Sequence, residues 1–207
     1  GFTDRKATKI HDDLHARCLV LDDGKTQLAI VVVDNCILPR DLLDRAKLMA
    51  QQATGIPETH ILISATHCHS GPAAMDIAQC KADPEYQSFL ARRIADGIRR
   101  AASNRVPAKI GWGFGEMPSE VFNRRWHMKE GGIIENPFGN KKDQVRMNPP
   151  RRSPLLDHPA GPTDTQVPVL SMLHADGRPL ALLSNYSLHY VGGTGAGTIS
   201  ADYFGVF

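Results

Sequence analysis

The stretch that most constrains the fold runs from residue 17 to residue 65. Two apolar runs, Arg17–Leu21 and Leu28–Val33, flank Asp22-Asp23-Gly24. An Asp-Gly pair between β-rich runs specifies a hairpin. Pro39 then opens a helix through about Thr54, with Leu42, Ala46, Met49 and Ala53 as its apolar stripe and Gly55 as its stop. Ile61–Ala65 is a short apolar strand. Strand, helix and strand in that order make the two strands a locally parallel pair, because parallel neighbours need a crossover of that length. The fold class that follows is α/β: a mixed β-sheet with hairpins and a strand-helix-strand crossover, helices packed on the sheet faces.

The rest of the chain extends this pattern. Asp83 and Pro84 read as the N-cap and first residue of a second helix whose stripe is Tyr86, Leu90, Ile94, Ile98 and Ala101. Ile110, Trp112 and Phe114 alternate with glycine as another strand, and Val167–Leu173 and Leu180–Tyr186 form a second hairpin around Ala175-Asp176-Gly177. His127 to Gln166 is rich in Pro, Gly and charge and reads as one long loop, of the kind that is functional or disordered. There is no internal repeat and no linker, so residues 1–207 read as one partial domain.

Composition removes several function classes. A net charge of +2, with the arginine pairs dispersed, gives no electrostatic case for nucleic acid or an anionic membrane. No apolar segment is long enough to span a bilayer. The 4 cysteines have no CxxC spacing and are too few for a disulfide scaffold. Cys18 and Cys36 lie in apolar runs and read as buried, inert thiols.

The chemistry concentrates at strand exits. Ser64-Ala65-Thr66-His67-Cys68-His69-Ser70-Gly71-Pro72 follows the Ile61–Ala65 strand. Residues two apart on an extended segment share a face, so His67 and His69 can converge, while Cys68 faces away from both. That orientation disfavours a thiol hydrolase built on Cys68. The alternative reading of the pair is two ordinary polar residues at a strand end. His189 lies beyond a second strand, ahead of a glycine run from Gly192 to Gly197. Its bland reading is a flexible loop with an incidental histidine. Asp34 follows Val31-Val32-Val33 and is read either as a site residue or as a cap for the helix at Pro39. Arg124, in Phe122-Asn123-Arg124-Arg125-Trp126, can hold a carboxylate or an oxyanion, or simply pack on Trp126 at the surface.

The run Ala65-Thr66-His67-Cys68-His69-Ser70-Gly71-Pro72 resembles the Ala-Thr-His-Thr-His-Ser-Gly-Pro signature of the neutral/alkaline ceramidases. Lys9-Ile10-His11 with Leu14-His15-Ala16-Arg17, the Asn123-Arg124 pair, Asn185 to His189 and Ile199-Ser200-Ala201-Asp202 recur in that family's order. The resemblance implies a zinc-dependent hydrolase that cleaves the amide of an N-acyl lipid, a ceramide-like substrate, to fatty acid and amine. It implies His67 and His189 as metal ligands, with His69 and Arg124 acting on the reacting group. Asp34, Asn123, Tyr190 and Asp202 would contact substrate or support the ligands. A Glu and a Tyr ligand and a serine lie later in the family's chains, so the sequence reads as a truncated N-terminal region, inactive by itself. The family also implies a secreted or periplasmic location and peripheral membrane contact.

The chemistry agrees with that expectation. An amide resists hydrolysis until its carbonyl is polarised and a nucleophile is activated, and a zinc ion supplies both functions. A catalytic zinc commonly has three protein ligands and an open position, and two histidines fall short of that number. Some residues depart from the family pattern: Cys68 for Thr, Ala73-Ala74-Met75 for a glycine-rich run, Arg125 for Ser, and Tyr190-Val191-Gly192 after His189. These bear on substrate more than on hydrolysis. A zinc esterase or amidase with another substrate, or a non-catalytic metal-binding domain of the same fold, are the alternatives.

Overall fold

The computed structural model describes residues 6–189 and 195–207. In chain order the first elements are β1 (Lys9–Ile10), β2 (Ala16–Asp22), β3 (Gln27–Val33), α1 (Arg40–Thr54), β4 (Ile61–Ala65) and α2 (Pro84–Ser103). Then come β5 (Ala108–Glu116), β6 (Arg125–Met128), β7 (Val145–Met147), β8 (Leu156–Pro159), β9 (Gln166–His174), β10 (Pro179–Ser184) and β11 (Thr198–Ile199). They fall into two compact units, Gly1–Val106 with Tyr190–Phe207, and Pro107–His189.

The first unit holds the expected hairpin and crossover. β2 pairs antiparallel with β3 from Ala16↔Val33 to Asp22↔Gln27. The turn is closed by side chains: Asp22 Oδ1 accepts from the Gly24 amide at 2.8 Å and Asp23 Oδ1 from the Thr26 amide at 2.7 Å. β3 then pairs parallel with β4, from Ala29↔Ile61 to Val33↔Ala65, with α1 between them in sequence. Alternate residues Ala29, Val31 and Val33 of β3 point into a core shared with Ile61 and Ile63 of β4 and with both helices. Each buried Val, Leu or Ile there contributes roughly 1.5–3 kcal/mol.

Both helices begin and end where the chain dictates. In α2, Asp83 caps the N-terminus by accepting from the Glu85 and Tyr86 amides, and Pro84 fills the first turn, where an amide would have no partner. α1 stops at Gly55, whose φ of 79° suits a left-handed cap. The buried stripe of α1 is Leu42, Ala46 and Ala50; Met49 and Ala53 face solvent. Strict i, i+4 spacing places three small or branched residues on one line, and the larger Met49 is left outside it.

A glycine sets how closely α2 approaches the sheet. A Cβ on Gly97 would lie 2.6 Å from Cys18 Sγ on β2. Burial pushes the Cys18 thiol up to about 11, so it is the inert thiol that the sequence implied. Ala outranks Gly in a helix by about 1 kcal/mol, yet Gly97→Ala should destabilise the protein by about 1–3 kcal/mol through overpacking. Urea unfolding of Gly97→Ala, and of the same change combined with Cys18→Ala, measures this. The double variant should recover most of the loss. An unchanged midpoint for Gly97→Ala would disprove the close approach.

In the second unit β9 pairs antiparallel with both β10 and β5. The β9–β10 turn is the predicted one, with Gly177 at φ 91° and its amide donating to the His174 carbonyl at 2.9 Å. The stretch from 127 to 166 is not one long loop. β6, β7 and β8 build a three-stranded antiparallel sheet across it, and the His127 and His158 rings stack at 4.5 Å. Strands of three or four residues carry too little alternation to be read locally, and here their partners lie about twenty or more positions away. No helix of the described residues is long and apolar enough to cross a membrane.

Candidate metal site

β4 ends at Ala65, and the segment after it is not extended. His67 adopts φ 65°, a left-handed conformation that costs a non-glycine residue roughly 1–2 kcal/mol. His67 and His69 therefore meet through a turn, not through strand alternation. Their rings lie edge to face, centroids 4.6 Å apart and planes at 84°. Strain of this kind persists only where neighbours hold it. Here the Cys36 carbonyl helps: it lies 2.9 Å from His67 Nδ1.

Cys36 is the residue that the sequence reading misplaced. It is half-buried, not sealed in the core, because β3 ends at Val33 and the chain turns out of the sheet over the next three residues. Its Sγ stands 3.6 Å from His67 Nδ1. The ligating atoms of Cys36, His67 and His69 all lie within 4.8 Å of one another. Burial pushes the Cys36 thiol above its ordinary range, with Cys80 adding to that direction.

The Cys36 loop is fixed by its neighbour. Asn35 is buried, and its Nδ2 donates to the Pro72 carbonyl at 3.1 Å and to Tyr86 Oη at 3.0 Å. Its Oδ1 accepts from the Ile37 amide at 3.3 Å. One amide side chain thus ties the β3 exit to the loop after His69 and to α2. Cys36, Asn35, Ile37, Pro72 and Met75 line a shallow groove beside the histidines.

Asp34 caps no helix and faces no solvent. Both its oxygens lie 2.7 Å from Arg17 Nη1, and Oδ2 also accepts from the His15 amide at 2.9 Å. The helix at Arg40 begins without a side-chain cap. Asp34 therefore ties the exit of β3 to Arg17 and to the His15 backbone.

The C-terminal segment clasps the histidine loop. The Ser200 amide donates to the Ser70 carbonyl at 3.2 Å, and Cys68 Sγ donates to the Ser200 carbonyl at 2.8 Å. Cys68 is buried, and desolvation is the main cause raising its thiol. Its sulfur is engaged by the Ser200 carbonyl, and a thiol raised by desolvation is a poor nucleophile. Asp12 accepts from Ser200 Oγ at 2.6 Å and from the Ala201 amide at 2.9 Å, and the Ser200 bond is the first cause holding its carboxyl below the usual range. Asp202 is buried at φ 62°, and its Oδ1 accepts from the Tyr203 amide at 2.8 Å.

The remaining sequence-derived residues lie in the second unit or outside the described residues. Asn123 Nδ2 donates to the Gly161 carbonyl at 2.9 Å and its Oδ1 accepts from the Arg125 amide at 2.9 Å, which shapes the turn before β6. Arg124 is exposed and donates through Nε to Asn148 Oδ1 at 3.0 Å. His189 is exposed at the end of that unit; its strand ends earlier than expected, at Ser184. Tyr190 lies outside the described residues.

One thiol and two imidazoles form the nitrogen and sulfur donor set that zinc takes. The residues present therefore fit a zinc ion. No protein-family model matches the chain. Among solved structures, a ceramidase complexed with C2 aligns at a TM-score of 0.62 and 20% identity, over 89% of this chain and 27% of its own. A neutral ceramidase from Pseudomonas aeruginosa aligns at 0.54 and 21%, over 86% of this chain and 26% of its own.

The chain shares part of the neutral ceramidase fold. It spans about a quarter of the length of those two chains, 27% and 26%. At that identity the likeness to the ceramidases is one of fold. Within this ceramidase-like fold the Cys36, His67 and His69 donors belong to a single compact unit.

Proposed function

We propose that the protein is a zinc-dependent hydrolase of the neutral ceramidase kind, acting on the amide of an N-acyl lipid. The observation that carries this reading is the meeting of His67 and His69 on a strained turn at the end of β4, in a ceramidase-like fold. His67 is the ligand that local geometry supports. His189 is a ligand on the sequence resemblance alone. Arg124 is the proposed donor to the reacting group, since a guanidinium forms charge-assisted bonds to an oxyanion. For His69 the geometry supports a donor role toward the ion, beside the substrate role that the resemblance implies.

A zinc ion bound at these residues supplies Lewis acidity toward the amide carbonyl. The chain's own residues do the positioning. The Cys36 carbonyl orients the His67 ring through Nδ1, and the adjacent Asn35 donates to the Pro72 carbonyl in the loop after His69. Asp202, Asp34 and Asn123 are proposed as supports, and Tyr190 as a contact to substrate.

Zinc content and a panel of N-acyl amides, acyl esters, phosphate esters and glycosides test the reading, in the natural full-length protein. One zinc per chain and turnover confined to acyl amides or esters is the expected result. Full activity in metal-free protein would overturn the zinc dependence. Turnover only of phosphate esters or sugars would overturn the reaction class.

A further inference from the structure

We infer that Cys36 is itself a metal ligand, and that Cys36, His67 and His69 form a three-donor site for a thiophilic divalent ion within the first unit. This rests on the zinc reading through His67 and goes beyond it. The sequence resemblance supplies only two histidines from this chain, one of them outside the first unit. The structure supplies a thiol where the sequence implied an inert core residue.

The geometry suits a thiolate–imidazole set. Zn–S and Zn–N bonds of about 2.3 and 2.0–2.1 Å at tetrahedral angles put neighbouring donors roughly 3.3–3.6 Å apart. One ligand atom from each of Cys36, His67 and His69 lies within 4.8 Å of the others, and Cys36 Sγ also stands 3.6 Å from Nδ1, the His67 nitrogen that faces the Cys36 backbone. Bonding distances require these side chains to close by about an ångström from that spacing. When Nδ1 of His67 carries its proton, it donates to the Cys36 carbonyl and leaves Nε2 with a lone pair for the ion. A ligating histidine whose other nitrogen bonds a backbone carbonyl is the usual arrangement. Cys36 thus contributes twice, its carbonyl orienting His67 and its sulfur completing the set. Binding displaces the thiol proton to solvent. Three protein donors leave a fourth position open, which is the count of a catalytic zinc site. Retention of the ion by this set does not depend on His189.

Cobalt(II) titration of the 207-residue chain tests this directly, because a thiolate ligand gives a near-ultraviolet charge-transfer band that imidazoles alone do not. One cobalt per chain with that band is expected. Cys36→Ser should lose the band and weaken binding at least roughly ten- to a hundredfold, the effect of disturbing even an outer partner. His69→Ala should weaken binding similarly, and His189→Ala and Cys68→Ser should keep the band. Zinc should also protect Cys36 in the unaltered chain from alkylation, read by mass spectrometry, so the test does not depend on any variant folding. Cobalt bound with an unchanged spectrum in Cys36→Ser would overturn the role of Cys36 and leave the zinc reading intact. A folded chain that takes up neither metal would overturn the three-donor site, and zinc analysis of the natural full-length protein would then judge the hydrolase reading separately.

Discussion

His67→Asn should strip the ion and abolish hydrolysis together, whereas Arg124→Ala should keep the ion and lose about a hundredfold to a thousandfold in rate. A ligand contributes to metal affinity in the resting protein, while an oxyanion donor acts mainly in the transition state. Asn is the informative replacement at 67. The residue sits at φ 65°, and Asn visits the left-handed region more readily than Ala. A lost metal in His67→Asn therefore reports the imidazole and not a collapsed turn. Arg124 is exposed, with its Nε on Asn148, so its removal leaves no buried charge behind and the fold should stand. Metal content and kcat measured on the same two preparations, in the natural full-length protein, make the comparison. Retention of stoichiometric zinc by His67→Asn would remove it from the ligand set. Wild-type turnover in Arg124→Ala would return that arginine to the surface role that Trp126 beside it allows.

The elements that could be read from the sequence were those whose signals are local. Asp22-Asp23-Gly24, Pro39, Gly55, Asp83 and Pro84 each act within a turn or two, and each marks a boundary that the structure reproduces within a residue. β3, the central strand between β2 and β4, carries an apolar run because it is flanked on both sides and packed by the helices, and β4 adds Ile61 and Ile63 to the same core. What was missed depends on contacts distant in sequence. The β6–β7–β8 sheet pairs residue 127 with 145 and 158, and no window along the chain contains that pattern. Cys36 was misread for the same reason: its run looks apolar until β3 ends at Val33, and only the position of the His67 turn, thirty-one residues on, gives the thiol a partner. His67 and His69 were found through the family-like run, but the extended geometry used to bring them together was wrong. The residue two places after Ala65 leaves the β region, and period-two alternation stops there.

Arg17→Ala should lower the unfolding free energy by about 3–5 kcal/mol, the cost of leaving a buried charge without its partner. The Asp34 side chain is 0% exposed and Arg17 is 39% exposed, so solvent can reach the arginine but not the carboxylate. With the guanidinium gone, Asp34 keeps, among the described residues, the His15 amide at 2.9 Å and the His15 imidazole at 4.0 Å. Arg17→Lys should fall between the two proteins, since an ammonium restores the charge but not the planar fork that serves Asp34 through one nitrogen and the Phe204 carbonyl through the other. That second bond, at 3.2 Å, ties β2 to the C-terminal segment. Its loss should speed amide exchange over residues 202–205 in Arg17→Ala more than in Gly97→Ala, which disturbs the same strand from its other neighbour. The order of stability expected from urea unfolding is parent, then Lys, then Ala, at constant m-value. An Ala variant within about 1 kcal/mol of the parent would mean that water reaches Asp34 after all. The ion pair would then be a surface contact, and the support that it gives the Cys36 loop two residues away would have to come from Asn35 alone.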